Sequence, residues 1–415
     1  MKKFTHLVAV AAAFFAVSLA VVTGCKYDVA APLWDQPYTV PPTPSISLIQ
    51  PTSAPAGVNM IVITGQNLNG VPDTNGVYFG ITPAEVVSKS ATSITVRRPP
   101  LVADSCTVKV VSDSALVVAR IKYGRIDPVM DRFGGFKDNI ALGAVAVDSV
   151  ENLFVVSAVT PITIWKVTPA GDKAVLPTSG LALRPPYDVR LRNGVLYVMG
   201  NNREIQQVNL ASGVSSRWTQ MPPGKVVRFG DFDANGYFYT GGVTGSDLCI
   251  IPPNPPTTLT LAQIGLAGYY ATEEILTVKV SRGYVYVASR SSATSPAMIW
   301  RQAISAGGQL APRELVLDLA AHSDLSAHLV KAIALSTSGQ LYLTTDASDP
   351  LLIWNPANSS LDYFYKSIVP PFGKHSIWGS STFLYMVSGD VNNADSGLRW
   401  NVVRVDMGTT GASSP

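Results

Sequence analysis

The chain has 415 residues and a formal charge of +3, with 14% charged and 47% hydrophobic side chains. So small a net charge gives no field for gathering nucleic acid, and three cysteines are too few for a disulfide-built scaffold. The 33 glycines and 30 prolines, set among so much apolar sequence, fit many short strands joined by tight turns, an all-β chain.

Lys2 and Lys3 precede an apolar run over residues 7–22, the layout of a secretory signal, which ends in Val22-Thr23-Gly24-Cys25. Small residues directly before a cysteine resemble the lipobox of bacterial lipoproteins. The resemblance implies cleavage before Cys25 and acylation of its thiol, palmitate included, with the new amino group acylated as well. Two or three acyl chains at ~0.8 kcal/mol per buried methylene hold a protein on a bilayer. Cutting residues 1–24 from 415 leaves 391 and lowers the charge from +3 to +1, because Lys2 and Lys3 go with them. Lys26, with no aspartate in its place, favours the outer membrane and leaves the periplasmic and exposed faces both open. No later apolar run reaches the ~18 residues of a spanning helix, so the rest is expected to be water-soluble.

Residues 25–44 carry Pro32, Pro37, Pro41, Pro42 and Pro44, an extended tether in which Trp34 packs back on the first domain or meets the membrane interface. Over residues 45–124, short alternating runs such as Met60-Ile61-Val62-Ile63 and Ser93-Ile94-Thr95-Val96 are punctuated by Gly, Pro and Asn at near ten-residue spacing. That pattern predicts a small β-sandwich. Ala54-Pro55-Ala56-Gly57, Thr64-Gly65-Gln66-Asn67-Leu68, Val77-Tyr78-Phe79-Gly80 and Pro99-Pro100 resemble the IPT/TIG domain, an immunoglobulin-like module. Gly65 and Asn67 are read as turn residues that tolerate positive φ.

After a linker over 125–139, a strand, a turn and a second strand with a central aromatic recur six times to residue 410. The aromatics Phe154, Tyr197, Tyr239, Tyr286, Tyr342 and Tyr385 stand 43, 42, 47, 56 and 43 residues apart. The period predicts a β-propeller of six blades, with a seventh degenerate blade and the manner of closure left open, an insertion over 315–331 and a flexible tail over 411–415. Ala144-Val145-Ala146-Val147-Asp148 and Ala332-Ile333-Ala334-Leu335 resemble NHL-type propellers.

Chemistry is scarce. The four histidines have no zinc spacing, no Gly-x-Ser-x-Gly turn occurs, and no glycine-rich phosphate loop follows a strand, so no catalytic residue, metal or cofactor is expected. Cys106 and Cys249 fall in different domains and are expected as free thiols. Asp148 and Asp233 are expected to accept amide hydrogen bonds in their turns, and the six aromatics to be core.

Six-bladed relatives in the regucalcin and gluconolactonase group hold a divalent metal with oxygen ligands from inner strands. Aligning the repeats places Gly143-Ala144, Tyr187-Asp188, Arg228-Phe229, Leu276-Thr277, Lys331-Ala332 and Lys374-His375 at the strand starts, with one carboxylate among several cations. Hard cations want several converging oxygens. The candidate site is therefore a channel mouth of Tyr187, Asp188, Arg228, Lys331, Lys374 and His375 that attracts anions, unless Glu273 and Glu274 neutralise it. Tyr269-Tyr270 and Tyr363-Phe364-Tyr365 are candidate aromatic contacts. The sequence points to a non-catalytic envelope lipoprotein that binds a protein or polysaccharide through its propeller, with the IPT/TIG-like domain as spacer or second contact. The alternatives are a lactonase- or lyase-like enzyme and a structural scaffold.

Overall fold

The chain divides into two units at Pro42 and Thr43, and the second unit, Thr43–Pro415, carries the fold. A computed structural model describes residues 42–74, 76–112, 117–136, 140–389 and 401–412, so Cys25 and all but the last residues of the tether lie outside the described residues. Among the described residues the second unit is all-β apart from three short 3-10 turns, and none of these helices is long and apolar enough to cross a membrane.

Two four-stranded sheets begin it. Ser45–Gln50, Met60–Gln66, Ser93–Arg97 and Val86–Lys89 form one, and Thr82–Ala84, Val77–Phe79, Cys106–Val110 and Ala119–Tyr123 the other. Alternation along the strands sends Ile61, Ile63, Ile94 and Val96 inward against Phe79, Val108 and Val110, and the Phe79 and Tyr123 rings meet edge-on at 5.2 Å. Asn67 takes φ 56°, as a turn residue should. Gly65 has a different reason: it lies within the strand, where a Cβ would stand 1.8 Å from the Ser45 carbonyl oxygen.

Six further sheets follow, each led by an innermost strand: Leu142–Val147, Asp188–Arg192, Phe229–Phe232, Glu274–Ser281, Val330–Leu335 and Gly373–Trp378. Each innermost strand packs on the next and the sixth packs on the first, so the sheets close as the blades of a propeller. The six aromatics fall in the second strand of each blade; all are buried except half-buried Tyr197. Burial raises the Tyr342 hydroxyl to about 12.

Three details differ from the sequence expectation. Met130–Arg132, inside the stretch read as a linker, is the outermost strand of the sixth blade and pairs with Asn401–Asp406. The interval read as an insertion supplies the outer strand of blade four, Glu314–Asp318. Gly411 and Ala412, read as flexible tail, donate backbone hydrogen bonds to Ser381 and Leu335.

The sandwich is docked on blades five and six. Arg97 pairs with Asp362 at 2.6 Å, Lys366 with Glu85 at 2.9 Å, and the Asn59 side chain donates to the Tyr363 carbonyl. The Tyr365 hydroxyl accepts from Gly57 N–H and donates to the Asp406 carbonyl. Gly408 fits only without a side chain, since a Cβ would lie 2.4 Å from Ala56 O.

Candidate functional site

Every innermost strand begins with the same irregularity. The register slips by one residue at Gly143, Leu276, Lys331 and Lys374. Tyr187 and Arg228 add extra bonds to Met199 O and Gly241 O at the equivalent places. Side chains on a strand repeat every two residues, so each slip sets the face shown by the residues one, three and five positions later. These form three tiers. The first contains Asp188 and His375, the second Arg190, Asp231 and Lys279, and the third Asp148, Arg192 and Asp233.

The first two tiers are joined by charge. His375 Nε2 lies 2.8 Å from Asp188 Oδ1, and Arg190 Nη1 hydrogen bonds to the same oxygen. Gly230 N–H donates to the other Asp188 oxygen. Arg190 Nη2 donates to the Val278 carbonyl across the ring, while its Nε lies 3.3 Å from Asp231 Oδ1 without hydrogen-bond alignment. Asp231 holds Lys279 at 3.1 Å and accepts from Val280 N–H. All five side chains are at least nine-tenths buried. The chain His375–Asp188–Arg190–Asp231–Lys279 thus links blades six, two, three and four. Opposite charges in a poorly screening interior hold one another strongly only when each is paired, as here.

The donor set does not suit a hard cation. Such an ion needs several converging oxygens, whereas both carboxylates are already engaged by guanidinium, ammonium, imidazole or amide groups. Among the described residues no group of three or more acidic, histidine or cysteine side chains is placed to hold a metal. Cys106 and Cys249 are unbridged, and burial raises the Cys249 thiol to about 12, which suppresses the nucleophilic thiolate.

The six residues expected at the mouth therefore separate. Asp188 and His375 belong to the buried network. Tyr187 is exposed with Arg228 over its ring at 5.2 Å. Arg228 is neutralised by Glu274 at 2.7 Å, as the alternative reading anticipated, and Glu274 also holds Arg290. Lys331 stands 3.4 Å from Asp346, and Lys374 Nζ donates to the Leu142 carbonyl at 2.9 Å. Burial, helped by the charge of Lys331, brings Lys374 down to about 8.

The aromatic candidates separate too. Tyr270 is fully buried with its hydroxyl on Gln302, whereas neighbouring Tyr269 keeps 40% of its surface. Phe364 and Tyr365 are buried, and half-buried Tyr363 donates to Asp324, so this cluster serves the docked sandwich rather than an open contact.

The other end of the innermost strands, where they turn back into hairpins, holds a cavity of about 440 Å³ between blades six, one and two. Ala146, Arg190, Arg192, Asn193, Ile377 and Ser380 contribute to its walls. Asp148, also on the wall, spends its carboxylate on Val150 N–H, Asn152 N–H and the Asn152 amide. Nearby Glu151 is likewise taken, by Ser380 and Ser381. Arg192 donates to the Ala234 carbonyl and lies 5.3 Å over the Phe232 ring. It forms no ion pair among the described residues. Arg190, Arg192, Asp231 and Lys279 were missing from the sequence reading, although counting two and four residues beyond the aligned strand starts reaches them.

Residues 44–123 match the IPT/TIG domain family. No curated protein matches the chain. Among solved structures, a luciferin-regenerating enzyme is similar at 14% identity and a TM-score of 0.50, over 69% of this chain and 98% of that one. An auxiliary nutrient binding protein from Bacteroides thetaiotaomicron is similar at 11% identity and 0.47, over 88% and 97%. Virginiamycin B lyase from Staphylococcus aureus follows at 10% and 0.40, over 62% and 80%. The likeness is one of fold.

Proposed function

We propose that this protein is a non-catalytic lipoprotein of the bacterial cell envelope whose NHL-like propeller captures a ligand, with the IPT/TIG domain as a docked spacer. The observation that carries the reading is the closed network in which Arg190 and Lys279 pair with Asp188 and Asp231 while His375 hydrogen bonds to Asp188. It puts the chain's own cations where a propeller lactonase would converge oxygens on a metal. Attachment through acylated Cys25 and outer-membrane residence complete the reading, supported by the lipobox-like Val22-Thr23-Gly24-Cys25.

Calorimetry with calcium and manganese on the full-length protein in detergent tests the absence of a metal-dependent site. We expect no specific uptake, while polysaccharide arrays or pull-down from solubilised membranes yield a retained ligand. Stoichiometric metal binding that Asp188→Asn abolishes would overturn the reading in favour of an enzyme. Palmitate labelling should be lost in Cys25→Ala, and labelling that persists would remove the anchor from the proposal.

A further inference from the structure

We infer that the hairpin-side cavity is a binding site for an acidic sugar, a hexuronate or a short uronate oligomer. This rests on the proposed binding role and names its ligand class. The volume of about 440 Å³ falls within the usual range of small-molecule sites and suits one or two sugar rings.

The charge comes from one strand. Arg190 and Arg192 are two residues apart and share a face; Arg190 lines the cavity with its charge met by Asp188, and Arg192 carries no ion pair among the described residues. The carboxylates close by cannot neutralise Arg192 without giving up existing bonds: Asp148 is held by its turn, Asp233 by Tyr237 N–H and the Tyr239 hydroxyl, Glu151 by the hairpin of blade six, and Asp188 by Arg190 and His375. A ligand carboxylate is the missing acceptor, and guanidinium is the side chain that grips it in two-point fashion.

The remaining wall selects a hydroxylated ligand. Ser149, Asn193 and Ser380 bring hydroxyl and amide groups, while Ala146 and Gly379 keep the space open. A side chain at Gly379 would collide with Glu151 at 2.5 Å, so the opening and the Glu151 latch depend on each other. Trp378 also borders the cavity but is buried, with its indole N–H on Ser381, so recognition here is polar rather than by ring stacking.

The test is calorimetry and thermal shift on the full-length protein in detergent, with glucuronate, galacturonate and their oligomers against glucose and galactose. A uronate should bind and the neutral sugars should not. Arg192→Gln should weaken uronate at least ten-fold, with Arg192→Lys intermediate. Among the described residues the Arg192 guanidinium meets a carbonyl, a ring face and the Gly236 backbone and no buried charge, so these variants should fold, and circular dichroism checks that they do. Equal binding of acid and neutral sugar, unchanged affinity in Arg192→Gln, or no uronate binding would overturn the inference. A partner still retained from membranes would then leave the binding role standing. Uronate that binds through Arg192 and is chemically altered would support the site and sink the non-catalytic reading instead.

Discussion

The two ends of the propeller's innermost strands carry similar side chains and differ in how those charges are spent. At the start side Arg228 and Lys331 each face a carboxylate, and Arg290 shares Glu274 with Arg228. At the hairpin side Asp148 is occupied by its own turn and Glu151 by the hairpin of blade six, and Arg192 borders an open cavity without a carboxylate partner among the described residues. A cluster of cations becomes a binding site only where its counter-charges are committed elsewhere and space remains.

The contrast breaks most readily at the network between the two ends. Asp231→Ala removes one carboxylate shared by Lys279 and Arg190, and should cost about 3–5 kcal/mol in urea denaturation, the usual effect of taking one partner from a buried ion network. A loss below about 1 kcal/mol would mean that the network is wetter than its burial indicates.

A second, smaller effect sharpens the difference between the mouths. Arg228→Ala with Lys331→Ala deletes start-side cations that already have partners, so affinity for an acidic ligand should stay within about two-fold. A ten-fold loss would relocate the site to the start side and restore the sequence expectation.

A further effect is one of pH. Lys374 titrates near 8 in the folded chain against 10.5 ordinarily. Between those values the unfolded chain binds more protons, so the folded state gains stability as pH rises through that window. Lys374→Met should therefore melt higher than the parent at pH 7, with the gain vanishing above about pH 10.5. A variant that melts lower at pH 7 would show that the ammonium is stabilised where it stands.

Much of the fold was legible because strand repeats are local. The Phe154-to-Tyr385 series put an aromatic in the second strand of every blade, and the aligned strand starts include Lys331 and Lys374, where the structure shows the register to slip. The pairings were not legible. His375 and Asp188 are 187 positions apart, and nothing local to Tyr365 signals that its hydroxyl serves Gly57. Met130-Asp131-Arg132 escaped notice because three residues with polar exposure carry no alternation, and only the waiting edge of Asn401–Asp406 makes them a strand. The tiers holding Arg190 and Arg192 were within reach of period-two counting, but their neutral or charged character depends on partners in other blades.

That closing strand has a mechanical consequence. The polypeptide leaves the sandwich and within a few residues becomes the outer edge of the last blade, antiparallel to Val403–Val405. Tension arriving from the N-terminal side thus reaches the ring at its seam, where backbone hydrogen bonds and the Arg404–Asp131 pair share the load. A pull strong enough to part that seam would strip the outer edge from blade six, whose innermost strand also walls the sugar-sized hollow, so load on the fastening and grip on a ligand are coupled.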